Sequence, residues 1–299
     1  MKNIIKSKKG TSKIVLTGVL LLCVALLAGC AKSDAKKTTE TAESTSTQET
    51  ETSQVTEKSE PLVVAMELAY PPFETKDTAG NPTGISVDFA KALGEYLGRP
   101  VTIVNTAWEG LIPSLQTEKV DLVISSMTIT EDRGKVIDFS DPYANSMLGI
   151  LVNKDSDINS AEDLDQKGKK VAVKAGSTGF IYAKTHMKNA EVIVLADESA
   201  CVTEVAQGKA DGFFYDQLTI YRNQQRNPET TKAVYVPFQD KDMWGVGVQK
   251  GNTELLNQVN AFIKEYTANG GFDELSEKYL HEEKQAFKDL GFKWFFDLT

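Results

Sequence analysis

The residues best suited to chemistry in this 299-residue chain stand at the ends of segments that read as β-strands. Ser125-Ser126-Met127-Thr128-Ile129-Thr130-Glu131-Asp132-Arg133 puts hydroxyls and a guanidinium within about one turn of a buried strand's end. A guanidinium offers paired donors that match a carboxylate, and Thr128 adds a hydroxyl or amide donor. A surface ion pair of Arg133 with Glu131 or Asp132 is the plain alternative. Lys174-Ala175-Gly176-Ser177-Thr178-Gly179 follows a strand and opens a helix, which aims free backbone amides at a place where an anion is favoured. Glycine turns of this kind also occur for purely structural reasons. Phe213-Phe214-Tyr215-Asp216 ends another strand with a carboxylate that either receives an ammonium group or caps the next helix. Open α/β sheets bind ligands at the carboxyl ends of their strands, so these groups suit a small zwitterion.

Other chemistries lack their residues. His186 and His281 stand alone in polar helical contexts, without zinc spacing or a nucleophile elbow, and solvated positions are expected for both. Gly245-Val246-Gly247 lacks the third glycine of a dinucleotide fingerprint. The formal charge of −9 and the lack of a Lys/Arg cluster beyond residue 13 argue against nucleic acid. Cysteines occur only at Cys23, Cys30 and Cys201, too few for a disulfide framework, and Cys201 reads as a small apolar core residue. No enzymatic activity, metal or cofactor is expected.

The body that positions these groups alternates β-rich and helical runs, which points to α/β layers. Strands are expected at Leu62–Met66, Val101–Asn105, Asp121–Ser126, Leu148–Val152, Lys170–Lys174, Glu191–Leu195, Gly212–Tyr215 and Gly245–Val248. Helices are expected over 86–97, closed by Gly98, around Leu111–Leu115, and over 177–187, 197–208, 252–267 and 271–280. A chain that leaves one lobe near 148 and returns near 245 makes two crossings and hence a hinge. The expected division is 61–147 with 245–299 in the first lobe and 148–244 in the second. The aromatic tail over 287–299 is expected to pack back on the first lobe.

The first 29 residues read as an export signal: five lysines at Lys2, Lys6, Lys8, Lys9 and Lys13, then the uncharged apolar run from Ile14 to Ala28. The run is shorter than the roughly 20 residues of a membrane-spanning helix. Its ending, Leu27-Ala28-Gly29-Cys30, resembles the bacterial lipobox, which implies cleavage before Cys30 and acyl chains such as palmitate on that residue. Residues 30–60 are Thr-, Ser-, Glu- and Lys-rich, with Val55 the only large aliphatic residue, and read as a solvated tether.

Several runs together resemble one family: Glu67-Leu68-Ala69-Tyr70-Pro71-Pro72-Phe73-Glu74, Trp108-Glu109-Gly110-Leu111-Ile112-Pro113, Ser126-Met127-Thr128-Ile129-Thr130 with Arg133, Asp138-Phe139-Ser140-Asp141-Pro142-Tyr143, and Gly176-Ser177-Thr178-Gly179. In this order, over about 61–280, they look like the polar amino-acid-binding proteins of bacterial ABC importers, solute-binding protein family 3. The resemblance implies an α/β, two-lobed periplasmic-binding-protein type II fold with a ligand cleft between hinged lobes. It implies that Arg133 clamps an α-carboxylate with Thr128 and the Thr178 turn, that Asp216 and Ser126 hold the α-ammonium, and that Tyr70, Phe73 and Trp108 wall the side chain. Ser177 and Lys174, on the same turn, and Glu67, after the first strand, complete the expected site. Family members commonly carry glycine where Ser126 stands and aspartate where Glu67 stands.

Glu67 beside Trp108 and Tyr70 suggests a cationic side chain stacked on aromatic faces, with a neutral substrate such as glutamine as the alternative. The expected partners are a free L-amino acid, an ABC permease and the membrane through lipid on Cys30. The chain is expected to be monomeric, extracytoplasmic and anchored to the bacterial cell membrane. A small-molecule lyase or dehydratase, with Glu67 or Lys174 as general acid, and a sensory domain are the rival readings on the same fold.

Overall fold

Short β-branched runs followed by amphipathic segments build two separate sheets, and a computed structural model describes residues 59–235, 240 and 242–298. The expected signal, Cys30 and nearly all of the tether lie outside the described residues. In the first sheet the order is Val101–Asn105, Leu62–Met66, Leu122–Val123, Gly247–Gln249, Ile137–Phe139. The first three run parallel, and Gly247–Gln249 is antiparallel to both its neighbours. In the second sheet the order is Glu191–Leu195, Lys170–Lys174, Gly212–Asp216, Leu148–Asn153, Thr231–Val234, with the last two pairings antiparallel. Between the sheets the chain crosses twice, and the crossings, Ala144–Ser146 and Asp242–Trp244, pair antiparallel as a two-stranded ribbon. Two lobes therefore share one hinge.

Each lobe buries its own core. The helix Ile85–Leu97 puts Ile85, Phe89, Ala90 and Leu93 against Leu62, Val64 and Met66, and ends where Gly98, at φ 66°, turns its amide back to Glu95 O and Gly94 O. Ile150, Val152, Val171, Val173 and Phe214 hold the second lobe. Cys201 is fully buried, and burial pushes its thiol up to about 12, so it behaves as an apolar residue. His186 and His281 are exposed. Among the described residues no helix is long and apolar enough to cross a membrane.

Several elements differ from expectation for local reasons. The strand expected over 121–126 is reduced to Leu122–Val123, because Ser126 adopts φ 47° and turns the chain away from the sheet. The strand expected at 245–248 begins only at Gly247, since Gly245 N donates to Met127 O and Val246 N to Ser140 Oγ. The last helix runs from Gly271 to Asp289, with non-helical angles at Leu280. Helix Gln217–Arg226 follows Asp216, as the capping alternative for that residue expected, whereas neither hinge strand was expected.

The aromatic tail enters the core of the first lobe. Phe295 and Phe287 are 0% and 1% exposed. Asn145, on the outgoing hinge strand, donates its backbone amide to Phe295 O at 2.7 Å and its side-chain amide to Trp294 O and Asp297 O at 2.9 and 2.7 Å. Phe292 meets the ring of Tyr235, past the second sheet, edge-on at 4.8 Å. Deleting a fully buried phenyl ring removes transfer energy and leaves a cavity. Phe295→Ala is expected to cost about 3–5 kcal/mol in urea unfolding, and a change below about 0.5 kcal/mol would show the tail to be peripheral.

Candidate ligand-binding site

The cleft between the lobes is lined by both sheets' strand ends. Arg133 reaches it from the four-residue helix Glu131–Gly134, whose cap Thr130 accepts Arg133 N at 3.3 Å. The guanidinium is nearly buried. It donates to Thr128 O at 2.7 Å in its own lobe and to Gly176 O at 3.0 Å in the other, and lies 5.2 Å from the centre of the Trp108 ring. Burial lowers its pKa to about 10, with Asp242 opposing, so it remains charged at neutral pH.

Opposite, Gly176 sits at φ 68°, and a Cβ there would come within 3.1 Å of the Trp108 indole. Turn and close approach both call for glycine. Ser177 caps the helix Thr178–His186: its hydroxyl accepts Phe180 N at 3.1 Å and donates to Lys174 O at 2.8 Å. Thr178, the first helical residue, lines the cleft with Thr128.

Asp216 both caps a helix and lines the cleft, so the two readings of it do not compete. Its Oδ1 accepts Leu218 N and Thr219 N, each at 3.0 Å, while buried Oδ2 has no hydrogen-bond partner among the described residues. Burial raises its pKa, and the Tyr70 hydroxyl is near enough to oppose the rise. A buried acceptor left unpaired costs free energy that a cationic donor would recover. Helix capping thus fixes one oxygen and leaves the other available.

Glu67 and Lys174 meet across the lobes as an ion pair, with side-chain exposures of 16% and 5%, and the Lys174 ammonium lies 5.5 Å from the centre of the Trp108 ring. Tyr70 and Trp108 line the cleft as expected of aromatic walls; Phe73 does not. It is fully buried between Tyr70, Trp244 and Phe295, at ring distances of 5.3, 4.9 and 5.2 Å. Trp244 from the hinge lines the cleft instead.

Sequence reasoning missed Glu74, Asp242, Tyr215, Ser146 and Trp244 as cleft residues. Asp242 receives the hydroxyls of Thr178 and Thr128 near Arg133, and burial pushes its pKa up to about 6. No strand pattern marked the stretch around it, and only pairing with Ala144–Ser146 brings it to the cleft. Glu74 had a signal, an acid following an otherwise apolar Pro-Pro-Phe run, that was not read as chemistry.

Residues 62–282 match the family model of bacterial extracellular solute-binding proteins, family 3. The L-cystine-binding protein TcyJ of Escherichia coli strain K12 is 33% identical over 221 residues, spanning 73% of this chain and 82% of that protein. An ancestral arginine-binding protein bound to arginine superposes with a TM-score of 0.69 at 38% identity, covering 74% of this chain and 98% of that one. An ancestral arginine-binding protein bound to glutamine gives 0.68 at 37%, covering 74% and 97%.

The Glu67–Lys174 pair ties the lobes, so removing either partner strands the other charge. In a double-mutant cycle of Glu67→Gln and Lys174→Met, read by denaturant unfolding, a coupling of about 0.5–3 kcal/mol is expected. Additivity within about 0.3 kcal/mol would show that the pair does not hold the lobes together.

Proposed function

Because this chain belongs to the bacterial extracellular solute-binding proteins of family 3 and has their two-lobed type II periplasmic binding fold, we propose that it captures one free polar amino acid in its cleft and hands it to an ABC importer. The observation that carries this reading is the placement of Arg133 in one lobe and the unpartnered Asp216 oxygen in the other, on opposite sides of a single cleft. A zwitterion sheds hydration on burial and needs an opposite charge or several hydrogen bonds at each end. Arg133, with Thr128 and Thr178, takes the carboxylate. Asp216 and Ser126 take the ammonium. A ligand bridging the lobes favours closure, and closure is what a permease can sense. Binding without chemical change is the proposed activity.

The side chain is set by the far end of the cleft. The expectation of a cationic side chain treated Glu67 as a carboxylate without a partner, and Lys174 supplies one. A neutral side chain that donates, such as the amide of glutamine, suits this pair: its N–H meets Glu67, which lines the cleft and whose charge Lys174 already balances from behind the lining. A basic amino acid is the second reading, favoured because Glu67, Glu74, Asp216 and Asp242 line the cleft against Arg133, the single cation among the described lining residues.

For the N-terminal part, the reading is a signal over 1–29, a lipid on Cys30 and a tether to residue 60, which together hold the body at the outer face of the cell membrane. Cys30→Ala is expected to release the protein into the medium of growing cells, and retention on the membrane would contradict the lipid anchor.

Thermal unfolding against the common amino acids tests the ligand. An amino acid at 100 times its Kd should stabilise the fold by about 2.7 kcal/mol. Arg133→Ala should abolish the shift for all of them, whereas Lys174→Met should reorder amide against basic ligands. Equal shifts in wild type and Arg133→Ala would refute the carboxylate clamp.

A further inference from the structure

Glu74 lines the cleft yet is only 1% exposed. Serine hydroxyls surround its carboxylate: Ser86 and Ser126 donate to Oε2 at 2.6 and 3.1 Å, and Ser125 donates to Oε1 at 3.3 Å. The other titratable groups within electrostatic reach are Glu67, itself paired with Lys174, and the phenols of Tyr70, Tyr143 and Tyr215. No cation among the described residues pairs with it.

A hydroxyl has one proton, and once that proton is given to a carboxylate the oxygen can only accept from other directions. Ser125 displays the consequence, since its Oγ accepts Glu67 N at 3.0 Å. Ser125 and Ser126 both line the cleft, and Ser126, the less buried of the two, is held at φ 47° with its proton on Glu74. Its lone pairs are then what it offers a ligand, and an ammonium group needs acceptors.

We propose that Glu74 is a positioning residue for the ammonium seat: ionised, it takes the Ser126 proton and makes that hydroxyl an acceptor, and protonated, it reverses the hydroxyl and weakens the seat. This deepens the zwitterion reading above and rests on it. Burial pushes the Glu74 carboxyl up to about 8 against the three serines. The sign follows: an ammonium ligand favours the ionised form, so binding drives the proton off. Affinity therefore rises with pH and levels off above about 8. Asp242, raised to about 6, and Glu198, raised to about 7 and hydrogen-bonded by Asn223, act in the same direction, so the part due to Glu74 is a difference between proteins.

Calorimetric titration with L-glutamine and with L-arginine, in two buffers of different ionisation enthalpy, measures the released protons. At pH 7 the wild type should release close to one proton more than Glu74→Gln, and from pH 6 to 8 its affinity should rise on the order of fiftyfold more. Ser126→Ala should lose the extra proton release, while Ser86→Ala, which touches Glu74 outside the cleft, should keep it. Equal proton release by wild type and Glu74→Gln would overturn the proposal. Should Glu74→Gln fail to fold, a wild type that binds without releasing protons at pH 7 overturns it equally. A wild type that binds neither probe nor any other amino acid would refute the zwitterion reading itself, and this inference with it.

Discussion

A guanidinium withdrawn from water must be given acceptors, and Arg133 takes them from both halves of the molecule: Thr128 O on one side of the cleft and Gly176 O on the other. The group proposed to hold a ligand's carboxylate is thus also one that joins the lobes. Trp108 stacks on it and lies beside the Gly176 turn, where a side chain would collide with the indole. Contacts of this polar kind can be exchanged for water when the lobes part, unlike the apolar cores within each lobe. Each lobe keeps its own apolar core, and the contacts that join the lobes across the cleft are polar.

The cleft is rich in buried acid. Burial raises Glu74, Asp216 and Asp242, and also Glu198 just behind Asp216. Lys174 neutralises Glu67, and Arg133 opposes the rise at Asp242. The remaining carboxylates are left with neutral donors: serine hydroxyls at Glu74, backbone amides at Asp216 and the Asn223 side chain at Glu198. Such a surface gains from any group that brings positive charge without water, and the ammonium of an amino acid is the smallest common one. The tail matters here only indirectly, because it ties Asn145 on the hinge ribbon to the first lobe's core and so fixes one end of the lobe motion.

Patterns of spacing made most of the scaffold readable. Leu62–Met66, Val101–Asn105, Lys170–Lys174 and Glu191–Leu195 stand where alternation and β-branching place them, because each is decided by residues within its own span. That Arg133, Thr128, Thr178 and Asp216 line one cleft was readable for a related reason. Strand ends in α/β sheets face a common edge, so a charged or hydroxyl group just past a strand is brought to the cleft with little further information. Phe73 was misplaced because an aromatic ring suits a core and a pocket wall equally, and its own residue type carries no preference between them.

By itself, the chain's sequence determined the α/β character, the order of the main elements, the absence of metal and phosphate motifs, and the opposite charges available to grip a zwitterion. Tertiary structure alone decided which charges meet. Lys174 and Glu67 are far apart in the chain and pair only because two sheets are folded face to face across a hinge. Asp242 enters the cleft through its ribbon with Ala144–Ser146, and Glu74 gathers three serines from two separate segments. Local propensity acts over a few residues, whereas electrostatic partnership depends on distance in space, and that distance exists only once both lobes are built.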